Sequence, residues 1–168
     1  MSEDLESADL ERLLCGGGDR KDRRNAVIRF HRNRNPDLRA IAAQACVVEA
    51  IIPFSALAKW YQVENSLEVK GLLLLAMAKA NRNSSKNIIV EIMKNASPAL
   101  LPYATAAFAM VTNSRRELLA LLQLSYSRNA SIAQSAIELA KMLVSDDDID
   151  SMNFIALVAA EAGVETNR

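Results

Sequence analysis

Glycine, proline and aromatic residues are scarce in this 168-residue chain, at five, four and 5% respectively. Sandwiches and barrels need many turns and strands rich in β-branched or aromatic residues, so the composition argues against those architectures. One histidine and two cysteines, Cys15 and Cys46, are too few for a nitrogen–sulfur metal centre or a disulfide framework. Both thiols are expected to be reduced, with Cys46 packed as a small apolar residue. Net charge is zero, so no global field draws the protein towards nucleic acid or membrane. Long apolar runs are missing too. The longest, Gly71 to Ala78, is closed by Lys70 and Lys79, whereas a membrane span needs roughly 20 apolar residues. It reads as a buried helix. The acidic start MSEDLESADLE lacks the basic and apolar regions of a signal peptide. The sequence therefore predicts a cytoplasmic protein with no membrane partner, which leaves the glycosylation patterns at Asn83, Asn95 and Asn129 idle.

What is abundant is alanine and leucine, 27 and 21 residues, and both favour helices. Four segments begin alike: Asn35-Pro36-Asp37-Leu38-Arg39, Asn65-Ser66-Leu67-Glu68, Ser97-Pro98-Ala99-Leu100 and Asn129-Ala130-Ser131-Ile132. Their first residues are 30, 32 and 32 positions apart (35 to 65, 65 to 97, 97 to 129). Asn and Ser accept hydrogen bonds from the free amides of a helix's first turn, and proline is tolerated at the first helical position. Glu68 stands where a capping partner of Asn65 belongs. A second set of starts falls between these, at Pro53, at Ser84 or Ser85, at the Ser114–Glu117 capping box, and at Ser145 with Asp148. Each period thus holds two helices, broken at polar runs such as 81–85 and 112–116. Ile132, Ala136, Leu139, Ala140 and Leu143 line one helical face, as do Ile149, Met152, Ile155, Ala156 and Ala159. Before Asn35, Ser7–Leu14 and Lys21–Phe30 form a further, less regular pair that Gly16-Gly17-Gly18 separates.

Helix pairs of this length, opening with N-P-D-L-R-A-x-A-A-x-A from Asn35 to Ala45, resemble HEAT-like repeats, in the short variety also found in bilin-lyase proteins. The resemblance covers residues 35 to about 162. It implies an all-α, armadillo-type right-handed α-solenoid of about four to five antiparallel helix pairs, forming a single domain. The repeats would be 35–64, 65–96, 97–128 and 129–162, after a charged cap pair at 1–34 and before a tail at 163–168. Small residues at Ala42, Ala43, Ala45, Ala76, Ala104, Ala106, Ala136 and Ala140 would let neighbouring helices approach closely. Lys70 can replace the arginine found at Arg39, but Pro102 and Ala133 cannot, so the Asp–Arg ladder of such repeats would be interrupted. An irregular helical bundle is the other architecture compatible with the same caps.

No catalytic set emerges. His31, the only histidine, lies in the most charged stretch, where a solvated imidazole is expected rather than an oriented base. Gly16-Gly17-Gly18 continues as Asp19-Arg20, not the Gly-Lys-Ser/Thr of a phosphate loop. Asp146, Asp148 and Asp150 mimic the first calcium ligands of an EF-hand, but Ser151 and Leu157 replace its glycine and glutamate. Those acids are better placed as favourable charges at a helix N-terminus. No cofactor, metal or enzymatic activity is expected.

Charge is uneven along the chain. Residues 19–39 hold eight basic residues against three acidic ones. One reading is a solvated cap balanced within the chain. The other is an anion or phosphate patch of Arg20, Lys21, Arg23, Arg24, Arg29, Arg32 and Arg34. Three functions follow. The first is a non-catalytic interaction or scaffold module that binds a protein or peptide in a groove lined by Trp60, Lys86, Lys94, Arg115 and Arg116. The alternative is nucleic-acid binding along Arg20 to Arg39. A weaker one, drawn only from the repeat type, is an accessory subunit of a prosthetic-group lyase. Apolar helices at both ends of the array also leave room for self-association.

Overall fold

The computed structural model describes residues 2–145 and 147–164, with side chains from residue 9 onward. Asp146 and the tail beyond Val164 lie outside these. All regular structure among the described residues is helical. The α-helices are α1 (Ser2–Cys15), α2 (Arg20–Phe30), α3 (Pro36–Val48), α4 (Phe54–Val63), α5 (Leu67–Ala80), α6 (Arg82–Asn95), α7 (Leu101–Thr112), α8 (Arg115–Gln123), α9 (Ala130–Leu143) and α10 (Ile149–Glu161). Single 3-10 turns precede α7 and follow α8. No helix of the described residues is long and apolar enough to cross a membrane.

The helix starts follow from local chemistry. Asn35 caps α3 through its side chain, with Pro36 at the first position, and Asn129 caps α9 by accepting from the amides of Ser131 and Ile132. Several starts differ from expectation. Ser66, not Asn65, caps α5 by accepting from the Val69 amide, while the amides of both Asn65 and Ser66 donate to the Glu64 carboxylate. The initial caps at 35, 66, 97 and 129 are therefore 31, 31 and 32 residues apart, more even than the sequence spacing. Ser97 and Pro98 open a 3-10 turn, and α7 begins only at Leu101. Asn81 alone separates α5 from α6, so α6 starts at Arg82 rather than Ser84 or Ser85. Asp148 caps α10 by accepting from the Ser151 amide, while the Ser145 hydroxyl serves Asp147. Ser114 accepts from Arg116 rather than closing a box with Glu117. Helix ends here use glycine or a tolerant residue, with Gly16 at positive φ directly after α1. Gly163 and Asn113 adopt positive φ, and the amides of Gly163 and Val164 return to Ala160 and Ala159 as a Schellman motif.

Helix packing divides the chain into two compact units, residues 1–82 and 83–168, where the sequence reads one domain. The division falls inside the 65–96 segment, not at a repeat boundary. In the first unit α3 packs against α1, α2 and α5, and α4 packs on α5. In the second, α7 packs against α8 and α9, and α10 lies on α9. The odd-numbered helices thus lie beside one another within each unit. All eight alanines expected at close approaches are buried. Helix α5 buries residues all round its circumference, including Leu73, Leu74 and Leu75, as an apolar helix without a polar face must. The buried face of α9 is Ala133, Ala136, Ile137, Leu139 and Ala140, turned by about one residue from the expected stripe. On α10 only Ile155, Val158 and Ala159 are buried, and Ile149, Phe154 and Leu157 remain exposed.

Two caps provide a contrast. Asn129→Ala removes the acceptor for two amides and is expected to lower stability by about 1 kcal/mol, or roughly 2–4 °C in Tm for a chain of this size. The Ser97 hydroxyl is buried without a partner, so Ser97→Ala should be neutral or slightly stabilising. Thermal denaturation of both variants checks this, and a larger loss for Ser97→Ala would contradict it.

Candidate anion-binding cleft

Helix α2 begins at Asp19, whose carboxylate accepts from the Asp22 amide. With 3.6 residues per turn, Arg20, Lys21 and Arg24 share one side of α2, while Asp22 turns away. That basic side faces the connection between α3 and α4. Together Arg20, Lys21, Arg24, Ala50, Ile51, Ile52, Pro53 and Ala80 line an open cleft of about 740 Å³. Its wall is cationic and its floor aliphatic.

The wall is held in place by ion pairs that share a pattern. Arg23, the fourth residue of α2, places Nε and Nη2 on the Glu49 carboxylate at 3.1 and 2.7 Å. Its remaining Nη1 donates to the Gly18 and Gly16 carbonyls at 2.6 and 3.2 Å. The glycine turn therefore presents carbonyls to a cation, the reverse of a phosphate loop, whose amides face an anion. Arg39, the fourth residue of α3, repeats the device. It forks the Glu64 carboxylate at 2.9 and 2.8 Å and donates to the Asn33 and Arg34 carbonyls. Both carboxylates belong to helix C-caps, Glu49 after α3 and Glu64 after α4. Lys70 occupies the same position in α5 but lies over the Tyr61 ring, 5.3 Å from its centroid. The ladder thus joins Arg to Glu rather than to Asp, and it changes character at Lys70.

Glu64 is the most enclosed member, with a side chain only 2% exposed. Beyond Arg39 it accepts from the Trp60 indole and from the amides of Asn65 and Ser66. Burial alone would push its carboxyl up, but the Arg39 fork, both amides and the indole hold it at about 2. Asp9 is likewise buried, between Arg12 and Arg29.

These pairs split the seven cations that the sequence groups into one patch. Arg23 and Arg29 serve carboxylates and are not available to an outside anion. Arg20 donates to the Ala50 carbonyl at 2.7 Å and lies 3.8 Å from Glu49, yet stays largely exposed at the cleft rim. Lys21, Arg24, Arg32 and Arg34 are exposed and pair with no described carboxylate. The first two belong to the cleft, and the last two follow the far end of α2.

The expected groove residues also separate. Trp60 is 4% exposed, its indole committed to Glu64, so it is a core residue and offers nothing to a partner. Lys86 and Lys94 on α6, and Arg115 and Arg116 on α8, are exposed in the second unit. His31 is half-buried, with Nδ1 2.7 Å from the Ile28 carbonyl and its ring edge-on to Trp60 at 5.6 Å, rather than freely solvated. Burial pushes the Cys46 thiol up to about 12, which makes it inert, whereas Cys15 is exposed. Asp148 caps α10 and accepts the Ser151 amide and hydroxyl, as an acid at a helix N-terminus should. Among the described residues no group of three metal-ligating side chains converges. No family model, curated protein or solved structure matches this chain.

A carboxyl held at about 2 in the folded chain and near 4.5 when unfolded stabilises the fold at neutral pH. That contribution fades as pH falls from the unfolded value towards the folded one. Glu64→Gln should flatten the acid limb of the stability profile and destabilise the neutral protein by about 3 kcal/mol, since Arg39 is left half-buried without its counter-charge. Denaturant titrations at several pH values test both effects. Equal slopes for the two proteins below pH 5 would refute the assignment.

Proposed function

We propose that this chain is a non-catalytic protein-interaction module, a cytoplasmic scaffold or adaptor built as a HEAT-like α-solenoid. The observation that carries the reading is the recurrence of a polar residue before a helical start every 31 or 32 residues, with side-chain caps at Asn35, Ser66 and Asn129 and a 3-10 turn opening after Ser97. The burial of alanines on odd-numbered helices that pack on one another within each unit supports it further, because stacked helix pairs bury a core only when their backbones approach closely. Such arrays present surfaces to partners, and this chain has exposed cations on its even-numbered helices at Lys86, Lys94, Arg115 and Arg116. The step from architecture to binding is one of analogy. Replacing those four cations by glutamate should abolish retention of the partner on the immobilised chain. Unchanged retention would remove them from the interface.

A second reading, contact with a phosphate backbone, is favoured by Lys21, Arg24, Arg32 and Arg34, four exposed cations that pair with no described carboxylate. It makes a numerical prediction. With at most four phosphate contacts, log K for duplex DNA should fall with log salt at a slope no steeper than about −3.6. Fluorescence anisotropy with labelled duplex DNA and single-stranded RNA at low and near-physiological salt measures this. Absence of binding at low salt eliminates the reading.

A further inference from the structure

We infer that the cleft between α2 and the α3–α4 connection docks an acidic segment of a partner protein, one that carries an aliphatic residue beside its carboxylates. This rests on the interaction-module reading and adds the place and chemistry of one contact. Three features select that occupant. The Glu49 carboxylate at the rim is met by Arg23 at Oε2 and approached by Arg20 at 3.8 Å from Oε1, so that of Arg20, Lys21 and Arg24 in the cleft wall the last two keep their field over the cleft. Two of those three are arginines, whose planar fork matches a carboxylate in two-point contact.

The floor distinguishes a peptide from a bare anion. Ile51, Ile52, Pro53 and Ala80 form an aliphatic surface beneath the cations. A phosphate leaves that surface uncovered, and no aromatic ring lines the cleft to stack an unpaired base. A carboxylate next to Leu, Ile or Val uses both wall and floor. The cleft, about 740 Å³, falls within the roughly 300–1,000 Å³ of ordinary ligand sites. Beyond it α2 continues the same chemistry, because Ile28 follows Arg24 by one helical turn and is 50% exposed.

The test selects random twelve-residue peptides on the wild-type chain, then measures labelled winners by anisotropy. The expected winners carry Asp or Glu beside Leu, Ile or Val. They should bind Lys21→Glu/Arg24→Glu at least about tenfold more weakly, since each rim charge is turned from attraction to repulsion. Both positions are exposed and unpaired, so that variant should fold, and circular dichroism verifies it. Lys59→Glu/Arg128→Glu carries the same charge change at exposed positions outside both surfaces and should leave binding intact. Replacing the peptide's aliphatic residue by serine should weaken binding about tenfold, at constant charge.

Winners that lack acids, that ignore the α2 variant, or that tolerate serine each overturn the inference. Displacement by millimolar inorganic phosphate does so as well, because the site would then be a simple anion site. Winners lost only in Lys86→Glu/Lys94→Glu overturn the cleft while preserving the interaction module. Failure to enrich any peptide counts against both.

Discussion

A single carboxylate, Glu64, fastens three helices of the first unit. It ends α4, receives the Trp60 indole from one turn earlier in that helix, takes the Arg39 fork from α3, and supplies an acceptor to the amides that lead into α5. Five donors surround one buried charge. Left unpaired, such a charge would be expelled or neutralised, so each donor is obligatory for the others. A well-packed apolar replacement of a buried pair is often no less stable, which means that the pair's value is geometric. It fixes which end of α4 meets which turn of α3, and it sets the residue at which α5 begins. Because Trp60 is held from one side by Glu64 and touched edge-on by His31 from the other, the same node reaches the end of α2.

The Arg23–Glu49 pair repeats this joint one helix earlier, and the repetition governs the charge distribution. An arginine one turn into a helix reaches the carboxylate that closes the next helix and gathers two carbonyls from the loop behind it. Each use withdraws a cation from the surface. Three of the eight basic residues in 19–39, Arg23, Arg29 and Arg39, are spent in this way on internal carboxylates. Lys21 and Arg24 pair with no described carboxylate, and together with the exposed Arg20, which only approaches Glu49, they share a side of α2 that faces aliphatic residues.

Much of the helical framework was legible in the sequence, since caps, prolines and alanine spacing are local signals. Asn35, Pro53, Ser114 and Asn129 all sit at or beside the helix starts expected of them. What was illegible depends on distant partners. Nothing near Glu49 or Glu64 announces a cation 25 or 26 residues earlier. The one-residue displacement of the α5 cap lies beside the same carboxylate, which accepts the amides of both Asn65 and Ser66. Trp60 misled for a related reason: an indole on a helix with polar neighbours suits either a groove or a core, and only the carboxylate four residues on decides between them. The cleft, too, needs α2, the α3–α4 connection and the end of α5 to meet, and spacing within the chain does not encode that meeting.

The balance of charge bears on selectivity as well as on placement. A chain with net charge zero has no long-range field to collect polyanions. Within 19–39 the cations that pair with no described carboxylate stand towards the two ends of α2, so a phosphate backbone would find few of them in any one register. A short acidic segment needs only one end. Over a few residues it meets three cations at close range, where screening is weak, and it then gains affinity by covering Ile51, Ile52 and Pro53. Neutrality overall and surplus charge at one aliphatic cleft thus act together, penalising long polyanions while leaving a compact acidic and aliphatic partner its full set of contacts.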